Sequence, residues 1–226
     1  MMDDRPAPAP LPSIAESAYR RIRSDIVFGR LQPGRKLKLE GLKAEYGASV
    51  STLREILNRL HSERLVVAEG QKGFEVAPVS IANLREIAAL RQLLECRALE
   101  QSFRAGDMEW EGRVVAAHHR LARMEERMEA GDRSGTEAWK RYDWQFHQAL
   151  IAACGSRMLI DTHAAVFDKY LRYQMIALSY RGDIAAREHA LLLDCALRRD
   201  AARAAEVLTR HVAGGVEHAL ATGSIS

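Results

Sequence analysis

One aspartate and three histidines have the residue types and the spacing of a metal site. Asp143 and His147 are four residues apart, so on a helix both side chains leave the same face about one turn from each other. Phe146 shares roughly that side and turns the pair towards an apolar interior. His189 and His211 each lie among apolar residues of later segments. A carboxylate and three imidazoles converging from three helices would supply the oxygen and nitrogen donors of a divalent metal site.

Donors of this kind suit zinc, nickel, cobalt or manganese, and zinc is our leading prediction. A single ligand carboxylate leaves a divalent ion with a net positive charge, which an anionic oxygen ligand such as a carboxylate would cancel. We expect Arg91, and Arg172 or Tyr173, to clamp the far end of that molecule. Ion pairing with Glu95 or Asp168 is the alternative role for these residues.

Other interpretations of the same residues stay open at this point. Each histidine on an apolar face can also be a hydrogen-bonded core residue, and we assign to the surface His61, His118, His119, His163 and His218. A metal hydrolase is one alternative, but catalytic zinc sites more often keep three protein ligands and a nearby general base. The nearest carboxylate, Glu188, precedes His189 on its helix and should point elsewhere. A regulator for which the metal itself is the signal is a further alternative.

Helices must position these donors. After Pro78 no strand-like alternation recurs, and glycines or short polar clusters divide the chain into about six helical segments. The approximate limits that we predict are 81–104, 108–130, 135–153, 156–178, 183–198 and 200–220. Such short connections imply antiparallel neighbours, so residues 80–226 are predicted to form an all-helical antiparallel bundle.

Nearer the start of the chain, the segment from Lys43 to Leu60 has the pattern of a helix-turn-helix. Apolar residues recur at helical spacing on both sides of a turn at Gly47. Hydroxyl, amide and arginine side chains mark the second helix, and the residues that we expect at DNA are Ser49, Ser51, Thr52, Arg54, Asn58 and Arg59. In this motif the N-terminal residues of the second helix meet base edges. A helical hairpin at the protein surface is the alternative.

A hairpin wing is predicted directly after this motif. Two apolar-rich runs, 65–68 and 74–77, flank a glycine-containing loop with Lys72 at its tip. Arg35 and Lys38 lie where a positive cluster could hold phosphates, although solvated surface charge explains them equally well. Residues 13–79 hold 12 lysines and arginines against 8 acidic residues, whereas residues 80–226 hold 20 of each. The positive excess therefore lies in the predicted DNA-binding domain, residues 13–79.

Length and composition are those of an ordinary soluble protein of one or two domains. The 226 residues are 47% hydrophobic and 28% charged. No apolar run approaches the roughly 20 residues that a membrane span needs. Residues 1–12 lack the features of a signal peptide, so we expect a flexible arm and a cytoplasmic protein. The three widely spaced cysteines form no CxxC pair and fit reduced thiols better than disulfides.

Taken together, these motifs resemble the GntR superfamily of bacterial regulators, in its FadR-like branch with the helical effector domain called FCD. The matching motifs of the DNA-binding half are Gly29-x-Leu31-x-Pro33-Gly34, residues 49–55, Asn58-Arg59-Leu60 and Gly70-Gln71-Lys72-Gly73-Phe74-x-Val76. Those of the effector half are Asp143-x-x-Phe146-His147, Cys154-Gly155-Ser156, Glu188-His189-x-x-Leu192 and Arg210-His211-Val212.

The resemblance implies a homodimer that binds double-stranded DNA at a short palindromic operator, usually as a repressor. It also implies release from DNA when a small carboxylate or sugar acid binds beside the metal. Val50 stands where many members have an arginine, so the operator sequence of better-known members does not transfer. We therefore predict a mostly α-helical, non-enzymatic regulator: an N-terminal winged helix-turn-helix and a C-terminal helical bundle that binds metal and effector and dimerises.

Overall fold

The computed structural model describes residues 13–68, 73–177 and 180–225, and the chain divides into two compact units between Pro78 and Val79. The predicted arm, residues 1–12, lies outside the described residues. The first unit contains α1 (Ile14–Val27), β1 (Lys36–Leu37), α2 (Leu39–Tyr46), α3 (Val50–Ser62), β2 (Val66–Ala68) and β3 (Phe74–Val76).

The strands of the first unit form a small antiparallel sheet in the order β1-β3-β2. Val66 lies opposite Val76, which confirms the predicted hairpin, and Lys36 lies opposite Glu75 in the added strand β1. The sequence analysis missed β1, because two residues are too few for an alternating pattern to be recognised. The tip of the wing, residues 69–72, lies outside the described residues.

Local chemistry sets the ends of the two helices of the DNA-binding motif. Gly47 ends α2 with φ of 67°, a left-handed conformation that glycine adopts without steric cost. Ser49 then caps α3, because its hydroxyl accepts a hydrogen bond from the Thr52 amide at 3.2 Å. Leu53 and Leu57 on the inner face of α3 are fully buried. The predicted winged helix-turn-helix is confirmed.

The second unit consists, in its described residues, of helices separated by short connections. They are α4 (Ile81–Ala105), α5 (Met108–Glu129), α6 (Thr136–Ile151), α7 (Arg157–Ile176), α8 (Asp183–Arg198) and α9 (Ala201–Ala221). Every end lies within two residues of its predicted limit, and side-chain caps mark the starts of α4, α5, α7 and α9. Ser80, for example, caps α4 by accepting from the Asn83 amide at 3.2 Å. The predicted helical bundle is confirmed.

The core of the second unit surrounds α6. Phe146 and Leu150 of α6 are fully buried together with Trp110 of α5, Leu192 of α8 and Leu208 of α9. Burying a side chain of this size stabilises a fold by about 1.5–3 kcal/mol. The same packing directs the other residues on the inner faces of α6, α8 and α9 towards one another. No helix in the described ranges combines the length and the apolarity that crossing a membrane would take.

Candidate functional site

The four residues predicted to bind metal meet inside the bundle. Asp143 and His147 come from α6, His189 from α8 and His211 from α9, and all four are buried. One donor atom from each lies within 4.8 Å of the others. Ligands on opposite sides of a shared ion, each about 2.1 Å from it, would be about 4.2 Å apart. The four donors are therefore near enough to share one ion after local shifts of their side chains.

Three donor atoms of this cluster lack hydrogen bonds within the part of the chain that the structure describes. Asp143 Oδ1, His147 Nε2 and His189 Nε2 are buried and have no hydrogen-bond partner. The two imidazole nitrogens lie 3.5 and 3.3 Å from Asp143 Oδ1, but these contacts do not have hydrogen-bond geometry. A buried polar atom left unpaired costs about 1–3 kcal/mol. A divalent metal would supply the missing partner, so the donor set fits a metal ion.

A separate glutamate orients each histidine through its other ring nitrogen. His147 Nδ1 lies 2.5 Å from Glu95 Oε1 and His189 Nδ1 lies 2.6 Å from Glu125 Oε1. His211 Nδ1 lies 2.9 Å from Glu188 Oε2. A carboxylate accepts the Nδ1 proton and leaves Nε2 with its lone pair free for a metal. The three histidines are thus oriented so that Nε2 is the nitrogen that could bind a metal once it carries no proton.

The sequence analysis did not predict that these three glutamates contact the histidines, although it named Glu95 as an ion-pair partner of an arginine, which Arg91 confirms. It placed Glu188 away from the site, whereas the side chain reaches His211 of the neighbouring helix. The available signal was an acidic residue within an apolar helical stripe: Glu125 lies between the buried Leu121 and Met128. A charged residue at such a position needs a buried partner, and the partner could have been a ligand histidine.

His163 extends the network behind His147, and its assignment to the surface was wrong. It is fully buried, since the apolar Val166 and Phe167 share its face of α7. Gln148 donates to its Nδ1 at 2.9 Å, and its Nε2 lies 2.9 Å from Glu95 Oε2. Glu95 therefore accepts hydrogen bonds from two histidines and is fixed on both sides.

Electrostatic interactions keep the acids of the site ionised. Burial raises the pKa of Asp143, but Lys140 and the neighbouring His147 and His189 outweigh burial and hold it well below its usual range. Burial likewise raises the pKa of Glu188, yet His211 and Arg181 lower it to about 2. The acidic ligand is thus in the form that binds a cation.

Two of the ligand histidines have opposite pKa shifts. Burial alone would lower the pKa of His189, but the carboxylates of Asp143 and Glu125 raise it to about 9. Burial lowers the pKa of His211 to about 3, and the neighbouring His189 acts in the same direction. In the metal-free protein His189 therefore carries a second ring proton and a positive charge at neutral pH, whereas His211 is neutral.

A cavity of about 20 Å³ adjoins the cluster. Its lining residues are Arg91, Trp139, Lys140, Asp143, Tyr170, Gln174, Arg181, Ala185, His189, His211 and Gly215. A site of this volume holds about one water molecule or ion. A methyl group at Gly215 would overlap the Tyr170 hydroxyl, so glycine permits the close approach of α7 and α9 that forms one wall.

Only one of the three residues predicted to clamp an effector lines this cavity. Arg91 does so, with its Nε donating to Glu95 Oε2 at 2.9 Å. Arg172 is buried but is not a lining residue, and the Tyr173 hydroxyl donates to Asn83 Oδ1 at 2.9 Å near the start of α4. The α7 side chains that do line the cavity come from other positions, because Tyr170 and Gln174 share a face that the intervening residues do not.

On the DNA-binding unit, the exposed face of α3 presents Ser51, Arg54 and Asn58. Within the described chain, the side chains of Arg54 and Asn58 form no hydrogen bond or ion pair, so both are available to an external ligand. Arg35 and Lys38 are also exposed, near the start of β1 and of α2. Lys72 of the wing lies outside the described residues.

Four of the residues predicted to contact DNA have partners within the protein, namely Ser49, Ser51, Thr52 and Arg59. The Ser49 hydroxyl, which caps α3, lies 2.9 Å from the Thr52 hydroxyl. Arg59 holds α3 against α1: its guanidinium lies 3.5 Å from the centroid of the Tyr19 ring and 3.3 Å from Glu16 Oε2. These contacts give Arg59 a structural role whether or not it also contacts DNA.

Residues 14–76 match the profile described as "Bacterial regulatory proteins, gntR family", and residues 86–214 match the FCD domain. The chain belongs to the GntR family. Within that family it carries the FCD type of second domain, as its sequence motifs predicted. The family consists of transcriptional regulators that bind DNA operators, so this GntR protein is a DNA-binding transcriptional regulator. The alternative of a metal hydrolase is thereby excluded.

Individual relatives of this GntR regulator support the assignment over nearly its whole length. It is 38% identical to the "Uncharacterized HTH-type transcriptional regulator BphR" of Paraburkholderia xenovorans, over 95% of this chain and 89% of the relative. It is 34% identical to the "HTH-type transcriptional repressor GlaR" of Escherichia coli, over 86% and 90%. Escherichia coli McbR/YncC has a similar fold, with a TM-score of 0.79, 18% identity and coverage of 93% and 99%.

Proposed function

We propose that this GntR protein is a homodimeric repressor whose release from a palindromic operator is controlled by a small carboxylate bound beside a divalent metal ion. Asp143, His147, His189 and His211 would hold the metal. The bound ion supplies a positive centre that accepts a ligand oxygen. Zinc is the leading candidate, with nickel, cobalt and manganese as alternatives, because imidazole and carboxylate donors suit all of them.

One observation carries this proposal: three buried donor atoms face one another without hydrogen bonds, while glutamates hold the opposite nitrogens of all three histidines. A merely structural cluster of buried histidines would pair these atoms with each other or with backbone groups. Outer carboxylates that fix a histidine tautomer are a common feature of metal sites in proteins.

The cavity supports a ligand at the metal but limits its size. Arg91, Lys140 and Arg181 all line it, so an anion is the ligand class that its charges favour. Its volume of about 20 Å³ is smaller than a sugar acid, so a short carboxylate needs less opening than a sugar acid. Opening would displace α7, α8 or α9, which supply the walls, and a displaced helix is a means of altering the DNA-bound form.

Operator binding as a function of metal and ligand tests the proposal. An operator would be selected from random duplexes with the zinc-loaded protein, and its affinity measured by fluorescence anisotropy while short carboxylates are added. We expect tight binding of the loaded protein and at least tenfold weaker binding with one of the carboxylates. Zinc binding in solution that is unaffected by Asp143→Ala and His189→Ala would overturn the proposed metal site.

A metal-responsive regulator is the second candidate, and the small cavity favours it. A volume that holds about one water molecule accommodates an ion with only small shifts of the donor side chains. In that case, adding and removing the metal alone would change operator affinity, and carboxylates would have no further effect. Titrating the two ligands separately distinguishes the two candidates.

A further inference from the structure

Lys140 is a buried lysine next to the proposed metal site and is not one of the four candidate ligands. It precedes Asp143 by three residues on α6, and its side chain is only 9% exposed. Its Nζ lies 3.5 Å from Asp143 Oδ2 and 4.1 Å from the centroid of the Trp139 ring. Lysine is almost never fully buried unless it is paired, and a contact of 3.5 Å is a long one.

The position of Lys140 works against metal binding. Asp143 offers one carboxylate oxygen, Oδ1, to the centre of the histidine cluster and the other, Oδ2, to Lys140. A fixed ammonium at a ligand carboxylate repels a divalent cation and competes for the same negative charge. Because the Lys140 ammonium lies in the cavity wall, we expect an anionic ligand to pair with it there.

The side-chain charges around the cavity indicate the net charge that we expect this anion to have. The buried carboxylates of the site are Asp143, Glu95, Glu125 and Glu188, and the cations that line the cavity are Arg91, Lys140 and Arg181. Arg210 lies 3.8 Å from Glu188, but its side chain is 55% exposed, so solvent screens its charge and it is left out of the sum. With neutral histidines the side chains sum to one negative charge, and a divalent ion changes the sum to one positive charge. Buried sites favour neutrality, because an uncompensated charge in a low dielectric is costly.

We propose that Lys140 selects the effector by its charge: its ammonium binds the carboxylate of a singly charged ligand whose oxygen also meets the metal. This inference rests on the proposed metal and carboxylate site. A ligand with one carboxylate makes the loaded site neutral, whereas a dicarboxylate makes it negative. Without Lys140 the metal-loaded site is already neutral, so a bound anion would not be stabilised by neutralising it.

We expect Lys140 to weaken metal binding and to strengthen carboxylate binding. A change of the two affinities in opposite directions therefore distinguishes this role from a structural one. Replacing Lys140 by methionine keeps most of its length while removing the charge. We expect Lys140→Met to bind cobalt or zinc at least threefold more tightly than the wild type. We also expect its metal-loaded form to bind a monocarboxylate at least tenfold more weakly. A substitution that only disturbed packing would weaken both.

Calorimetry on the full-length protein tests this with two probes of equal chain length, propionate with one charge and malonate with two. The visible spectrum of the cobalt-loaded protein reports a carboxylate entering the metal site. For the loaded wild type we expect propionate to bind more tightly than malonate. Lys140→Arg, which keeps the charge, should retain propionate binding. Arg141→Met, an exposed neighbour on α6, is the control and should change neither affinity.

The outcomes separate this inference from the function on which it rests. A wild type that binds no divalent metal removes the proposed metal site, and one that binds metal but neither carboxylate removes the proposed carboxylate site. The role of Lys140 fails in both cases. If the wild type binds metal and propionate, but Lys140→Met changes both affinities in the same direction or less than twofold, only the role of Lys140 is refuted. Tighter binding of malonate than of propionate refutes the charge selection.

Discussion

The imidazole Nδ1 of His189 lies 2.6 Å from the carboxylate of Glu125, although 64 residues separate them in the chain. This hydrogen bond turns His189 Nε2 towards Asp143 and the other two histidines. Glu125 therefore orients a histidine of the candidate metal site without being one of the four candidate ligands.

Removing Glu125 should weaken metal binding. Outer-shell carboxylates of this kind typically account for 10- to 100-fold in metal affinity, so we expect a loss in that range for Glu125→Ala. Competition with a chromophoric chelator measures it. Glu126→Ala is the matched control, because Glu126 is an exposed neighbour that pairs with Arg123 on the same helix. Equal affinities for the two variants would contradict the orienting role.

Removing the metal should destabilise the bundle formed by residues 79–226. A ligand at a free concentration 100 times its dissociation constant stabilises the folded state by about 2.7 kcal/mol. For a protein of this size that corresponds to roughly 5–10 °C in the unfolding midpoint. Differential scanning calorimetry before and after chelation measures the shift. Asp143→Ala should show no such difference, and a chelator effect of the same size in that variant would point to another binding site.

Metal affinity should increase with pH. The carboxylates of Asp143 and Glu125 outweigh burial and raise the pKa of His189 to about 9, so below that pH the metal must displace a proton. We expect about a tenfold gain in affinity per pH unit from neutral pH to about 9, and little change above it. The stability of the metal-free fold should change with pH in the opposite direction. The protonated His189 stabilises it fully below the unfolded pKa, and this contribution is lost as the pH rises through about 9. Metal titrations across this range test the first effect, and a flat profile would contradict it.

Arg54 should contribute directly to DNA binding. It is exposed on α3 and forms no ion pair within the described residues. We predict that Arg54→Ala costs on the order of 1–3 kcal/mol of operator affinity. Fluorescence anisotropy with the selected operator measures the loss. The exposed Arg97 of α4 provides the control substitution, Arg97→Ala, which should leave operator affinity unchanged. Unchanged affinity of Arg54→Ala would show that this assignment is wrong.

Arg59 should act mainly through the stability of the DNA-binding unit. Its guanidinium stacks on Tyr19 and pairs with Glu16, and an exposed cation–π contact is worth about 0.5–1 kcal/mol. Arg59→Ala should therefore lower the free energy of unfolding by about that amount. Urea denaturation measures this change. If Arg59 made no phosphate contact, the salt dependence of operator binding would stay the same, whereas a lost contact would reduce the slope by about 1.

Sequence patterns determined the helices, the winged helix-turn-helix and the buried faces that carry the four candidate donors, because these depend on local spacing. The helical spacing of apolar residues places Asp143 and His147 on the inner face of α6 whatever surrounds that helix. Caps such as Ser13, Ser49 and Ser80 likewise act within three residues of themselves. The short strand β1 was not predicted, because its pairing with β3 is not a local property.

Only the tertiary structure decided what surrounds the donors. Glu95 and His147 are 52 residues apart, and whether they touch depends on how α4 packs against α6. The same holds for His163, and for the choice of Tyr170 and Gln174 over Arg172 and Tyr173 at the cavity. Helical periodicity tells which face of a helix is buried, but the direction and depth of packing select which buried side chains share a site.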